Sequence, residues 1–142
     1  MGVRMLCEVT LILTAGKTVI VVGKKILVVD DEPNIVRSLT FVLNKGGYDV
    51  SYASDGVQAM SMIRDSKPNI LILDVMMPNM SGYDVCSAVK SDPELKDIHV
   101  VMLTAKGQAG DREAALSQGA DEYISKPFSP IEILARVKEL LG

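Results

Sequence analysis

The stretch KKILVVDDEP, residues 24–33, decides the fold. Ile26, Leu27, Val28 and Val29 follow one another with no polar residue between them, and Asp30 closes the run. A strand exposed on one face alternates polar and apolar residues. A run without alternation belongs to a strand covered on both faces, as in a parallel sheet flanked by helices. Pro33 then suits a first helical turn, Ile35, Leu39 and Val42 recur at helical spacing, and Gly46-Gly47 ends the run.

Outward from that unit the same pattern returns. A strand is predicted at 48–53 and a helix at 55–66, with Val57, Met60 and Ile63 facing inward. A third strand falls at 69–74, followed by a loop containing Pro78 and Gly82 and a helix near 83–90. A fourth strand at 98–103 precedes a helix at 111–118 that Gly119 ends. The last strand spans 121–125 and its helix 130–141, with Ile133, Val137 and Leu140 on one stripe. Five strand–helix pairs imply right-handed crossovers and a doubly wound α/β fold: a five-stranded parallel sheet, helices on both faces, order 2-1-3-4-5. In such sheets ligands lie beyond the carboxyl ends of the strands, so the residues at those ends decide the function.

The chain of 142 residues has room for one domain, residues 25–142, plus a short appendage, residues 1–24. In that extension 9–13 and 19–22 look like two strands around Ala15-Gly16-Lys17, a hairpin or one added edge strand. A signal peptide fits poorly, because Glu8 and Lys17 interrupt the apolar stretch. Gly16-Lys17-Thr18 fails as a phosphate loop because Leu11 stands where the first glycine belongs. Val19–Gly23 also resembles residues 26–29, which raises self-association or domain swapping through the extension.

Composition excludes several classes. Fifteen Lys and Arg against eighteen Asp and Glu leave a net charge of −3, which gives no general grip on phosphate backbones or acidic lipid. With no Trp and 4% aromatics, base-stacking platforms are absent too. Cys7 and Cys86 lie far apart with no CxxC, so free thiols in a reducing, cytoplasmic compartment are expected. His99 is the only histidine, which excludes His-rich metal sites; a plain strand-entry role is expected for it.

Asp30, Asp31 and Glu32 follow the first strand and Asp74 ends the third, so the predicted strand order converges several carboxylates on one crevice. Like charges this close repel unless a cation neutralises them, and an all-oxygen cluster suits Mg²⁺. The same acidity argues against a flavin phosphate, which needs backbone donors there. Thr104 after the fourth strand adds a hydroxyl and Lys126 after the fifth adds an ammonium. Acid, metal, hydroxyl and ammonium together suit phosphoryl transfer to a carboxylate.

Four segments carry a resemblance: ILVVDDE at 26–32, ILDVMMPNMSG at 72–82, VVMLTAK at 100–106 and YISKPF at 123–128. In type, order and spacing they resemble the receiver domain of bacterial two-component response regulators, with its chemotaxis-regulator-like, flavodoxin-like fold. The resemblance covers nearly all of 25–141. It implies that Asp74 is the phosphoacceptor, that Asp30, Asp31, Asp74 and the Met76 backbone carbonyl hold Mg²⁺, and that Thr104 and Lys126 bind phosphoryl oxygens. It further implies a cis peptide at Lys126-Pro127 and a switch in which Tyr123 moves inward as Thr104 is drawn to the phosphoryl group. The face built by the fourth helix, fifth strand and fifth helix would then change population on phosphorylation and be read by a downstream protein effector. Met76 and Lys106 flank the approach of a hydrolytic water. Met76 offers that water no firm hydrogen bond, so a long-lived phosphoryl group is expected. Met77 and Met80 suit either a flexible docking surface or packing on the core.

The expected function is therefore phosphoryl acceptance from a sensor histidine kinase or a histidine phosphotransfer protein. The domain catalyses only its own phosphorylation and dephosphorylation, with no direct contact to nucleic acid or membrane. Dimerisation through the switching face or through the extension stays open. The ending KPFSPIEILARVKELL resembles receivers fused to transcription factors, so a fragment of a larger DNA-binding regulator is the alternative. An aspartate-nucleophile phosphatase is disfavoured because Met76 occupies the position where that family has a second Asp. A degenerate scaffold is disfavoured because no acid or lysine is missing.

Overall fold

A computed structural model describes residues 9–14, 17–105, 113 and 116–141. Strands β1 (Val9–Thr14) and β2 (Lys17–Val22) pair antiparallel, Val9 opposite Val22 and Thr14 opposite Lys17, in a two-stranded sheet of their own. After them come β3 (Lys25–Val29), α1 (Pro33–Lys45), β4 (Asp49–Ala53), α2 (Gly56–Ser66) and β5 (Ile70–Asp74). They are followed by α3 (Gly82–Ser91), β6 (His99–Thr104), β7 (Glu122–Ser125) and α4 (Pro130–Leu141). The main sheet has the order β4-β3-β5-β6-β7, every pair parallel, which is the 2-1-3-4-5 order of a doubly wound fold. Of the helix predicted at 111–118, Glu113, Leu116 and Ser117 are described and helical and Gln118 is described as a turn; positions 111, 112, 114 and 115, like Lys106 and Cys7, lie outside the described residues.

The uninterrupted apolar strands have their physical cause in two core clusters. Leu27, Val29, Leu71, Leu73, Val100 and Met102 point to one side, against Ala59, Met60 and Ile63 of α2 and Val85, Cys86 and Val89 of α3. Ile26, Val28, Ile70, Ile72, Val101 and Leu103 point to the other, against Leu39 and Leu43 of α1 and Ile133 and Val137 of α4. Each strand residue thus removes apolar surface from water whichever way it points, on the order of 2 kcal/mol per fully buried Leu or Ile.

Two helix faces differ from the sequence expectation. Val57 is exposed, and α2 buries Gly56, Ala59, Met60 and Ile63 instead. Gly56 lies so close to the Met80 backbone that it must face inward, which turns Val57, about 100° round the helix, to solvent. In α1 the fully buried positions are Leu39 and Leu43, while Val42 is half-buried. Asp55 is not the first turn of α2 but its N-cap, accepting a hydrogen bond from the Gln58 amide at 2.8 Å. His99 opens β6 with Nε2 2.5 Å from Glu122 Oε2. No described helix is long and apolar enough to cross a membrane.

Candidate functional site

The site is built where parallel strands end together. Backbone bonds fix that tip: the Asp30 amide donates to Ala53 at 3.2 Å, the Val75 amide to Leu103 at 3.1 Å, and the Lys126 amide to Thr104 at 2.7 Å. β3 therefore delivers Asp30, β5 delivers Asp74, β6 delivers Thr104, and the turn after β7 delivers Lys126. All three of Asp30, Asp74 and Thr104 are buried. The Lys126–Pro127 peptide is cis.

One carboxylate oxygen from each of Asp30, Asp31 and Asp74 lies within 4.8 Å of the others. Asp31 is the exposed member and Asp30 the most buried. Asp30 Oδ1 accepts the Glu32 amide at 2.9 Å. Its other oxygen, Oδ2, is buried and has no directed hydrogen bond, although the Lys126 ammonium stands 3.0 Å away. That ammonium is also 3.3 Å from Asp74 Oδ1 and 3.2 Å from Glu32 Oε1. Among the described residues one ammonium, Lys126, is ion-paired with these acids, which leaves the cluster short of positive charge.

The titration of the groups follows. Burial, with the neighbouring Asp30 charge second, pushes the Asp74 carboxyl up to about 6, against the pull of Lys126. Burial also raises Asp30 above the ordinary carboxylate range, its bonds to the Glu32 amide and Lys126 only partly offsetting this. Burial works to lower the Lys126 ammonium, but Asp30 and Asp74 outweigh it and hold the group above its ordinary value. These are hard oxygen donors, crowded and short of neutralising charge, which is what a small divalent cation fits.

Tyr123 sits mid-strand in β7, half-buried and packed against the α2–α3 side of the core, two residues before the strand's end. Met76 follows the site on an exposed loop, and its amide donates to the Asp74 carboxylate. Glu32 stands in the acid run of the sequence, and in the structure it also shares Lys126. The ion pair spans 94 positions, and the only signal was one more acid after the strand.

Four acids and a lysine at the tip of a parallel sheet of this order define a response regulator receiver. The chain belongs to that family: the family model described as response regulator receiver domain matches residues 26–138. It is 45% identical over 119 residues to the alkaline phosphatase synthesis transcriptional regulatory protein PhoP of Bacillus subtilis (strain 168), covering 84% of this chain and 49% of that protein. It is 42% identical over 118 residues to the DNA-binding response regulator MtrA of Mycolicibacterium smegmatis, covering 83% of this chain and 50% of that one. This chain thus spans about half the length of the curated relatives it matches. Among solved structures it is similar to a putative response regulator from Chloroflexus aurantiacus, with a TM-score of 0.79, 37% identity and coverage of 84% and 98%. It is also similar to the chemotaxis response regulator CheY4 of Vibrio cholerae, with a TM-score of 0.78, 29% identity and coverage of 84% and 99%. The expectation of no contact with nucleic acid is corrected to this extent: relatives named as DNA-binding or transcriptional regulators are about twice as long as the matched segment.

Proposed function

We propose that this receiver takes a phosphoryl group from a phosphohistidine, on a sensor histidine kinase or a histidine phosphotransfer protein, onto Asp74. The observation that carries the reading is the clustering of Asp30, Asp31 and Asp74 within 4.8 Å, with the Lys126 ammonium 3.3 Å from Asp74. An Asp74 oxygen attacks phosphorus as the phosphorus–nitrogen bond to the histidine breaks; the electron pair returns to the imidazole ring. Asp30, Asp31 and Asp74, joined by the Met76 carbonyl, would hold Mg²⁺, which supplies charge neutralisation of the carboxylates and of the phosphoryl oxygens. Lys126 then exchanges a carboxylate partner for a phosphoryl oxygen, and the Thr104 hydroxyl donates to another. The pull on Thr104 supports the inward movement of Tyr123 and a shift in the face formed by the helix predicted at 111–118, β7 and α4.

The donor docks beside Lys126, where a cavity of about 490 Å³ is lined by Glu32, Ile35, Lys126, Pro127 and Phe128. We place the protein in the cytoplasm, as a phosphoprotein that modifies itself and signals through contacts. Output runs through a protein effector or, on the second reading, through a DNA-binding part of a longer regulator, which the length of the relatives supports. The test is incubation with Mg²⁺ and a small acyl phosphate, read by intact mass. The parent gains one phosphoryl group; Asp74→Asn and the chelator-treated parent gain none. A gain in Asp74→Asn refutes the assignment.

A further inference from the structure

We propose that Met76 is a site of reversible oxidation that shortens the life of the phosphoryl group on Asp74. The proposal rests on the function given above for Asp74. Met76 is 74% exposed, while Met60 and Met102 are buried and Met62, Met77 and Met80 pack against the core. Among the described residues it is the one methionine whose thioether faces water freely. The described thiol, Cys86, is buried, and burial pushes it up to about 11, so it offers little thiolate to an oxidant. Position gives Met76 its consequence: its own amide is bonded to the Asp74 carboxylate, so the side chain leaves the backbone at the lip of the pocket.

A hydroperoxide supplies the two-electron step. A sulfur lone pair attacks one oxygen of the hydroperoxide, the oxygen–oxygen bond breaks, and the proton on the oxygen kept by sulfur passes to the departing oxygen, which leaves as an alcohol or, from hydrogen peroxide, as water. The thioether is a weak acceptor, whereas the sulfoxide oxygen is a strong one. Water that attacks phosphorus must be held by an acceptor that takes up part of its proton charge. The reduced side chain holds it poorly and the oxidised one holds it well. Because Met76 packs into no core cluster, the added polarity leaves the fold intact, and sulfoxide reductases restore the thioether.

The experiment treats the whole chain with dilute hydrogen peroxide, maps the added oxygen by peptide mass, loads Asp74 with Mg²⁺ and acyl phosphate, then removes donor and follows phosphoryl loss. Met76 gains oxygen ahead of the other described methionines, and loss speeds by about fivefold, the worth of one neutral hydrogen bond. Met76→Leu, whatever its rate without peroxide, loses the group no faster after peroxide. Met76→Asn, with an amide acceptor in place, loses it faster without peroxide. Oxidation that leaves Met76 untouched, an unchanged rate once Met76 carries oxygen, slower loss in Met76→Asn, or equal peroxide sensitivity in Met76→Leu each overturns the proposal. A reduced parent that takes up no phosphoryl group overturns the function of Asp74 itself, so the two failures are told apart.

Discussion

Asp74 is held where its own charge is costly. Its carboxyl sits at about 6 against an ordinary 3.8, so the folded state binds the proton more tightly than the unfolded chain does. Stability from this group is greatest at low pH, falls as pH rises between those two values, and stays reduced above them, by about 3 kcal/mol. Without metal, Asp74→Asn therefore melts several degrees above the parent at about pH 7.5 and close to it at about pH 4.5. Equal melting at the higher pH would mean the carboxylate is better solvated than its burial indicates. Lys126→Met acts the other way, costing about 2 kcal/mol at neutral pH in urea titration, since it strips the ammonium from Asp30, Glu32 and Asp74. Asp30, Asp31, Asp74, Thr104 and Lys126 could be gathered from sequence because each sits at a strand end, and parallel order carries strand ends to one edge. The sharing of Lys126 with Glu32 could not, because a side-chain rotamer rather than strand order decides it.

The elements themselves are set by how closely backbones approach. Gly82 opens α3 directly against the carbonyl of Asp74, and a methyl carbon there would lie far inside van der Waals contact with that oxygen. Gly82→Ala must push α3 from β5 or tilt the peptide that carries Asp74, so it costs about 1–3 kcal/mol in denaturant titration. It also slows phosphoryl uptake from acyl phosphate. Full stability with normal uptake would show that the loop at 75–81 absorbs the methyl. Gly47 offers the contrast: open space surrounds it, and only its positive φ of 97° resists substitution. Sequence spacing recovers all five strands of the main sheet to within a residue, because the apolar runs are bounded by charged or turn residues. It misplaces the inner face of α2. Val57, Met60 and Ile63 fit helical spacing as well as Gly56, Ala59, Met60 and Ile63 do, and a glycine carries no hydrophobic signal for the close approach that chooses between them.

At the scale of the whole molecule, charge is arranged with opposite consequences at the two ends of the sheet. At the tip, Asp30 and Asp74 are raised and lose stability as pH climbs. At the foot, burial tends to raise Asp121 and Glu122, but their partners win. Lys90 lies 2.7 Å from Asp121, whose carboxylate also takes the Val100 amide at 2.8 Å, and Arg136 lies 2.6 Å from Glu122. Both foot carboxyls are held below their ordinary 3.8 and 4.5, so their contribution is complete above those values and is lost as pH falls through the lowered ones. The two slopes face each other, and the metal-free protein is most stable at about pH 4–5, below the usual range for a globular domain. On the metal site proposed for these acids, Mg²⁺ would bind only ionised tip carboxylates, so added Mg²⁺ is expected to lift the alkaline side and move the maximum toward neutrality, by an amount that grows with metal concentration. Urea midpoints measured across this range, with chelator and with Mg²⁺, read both flanks at once. A metal-free midpoint that climbs steadily to neutral pH would show that the tip acids are neutralised within the protein, and that the pocket does not need a divalent cation.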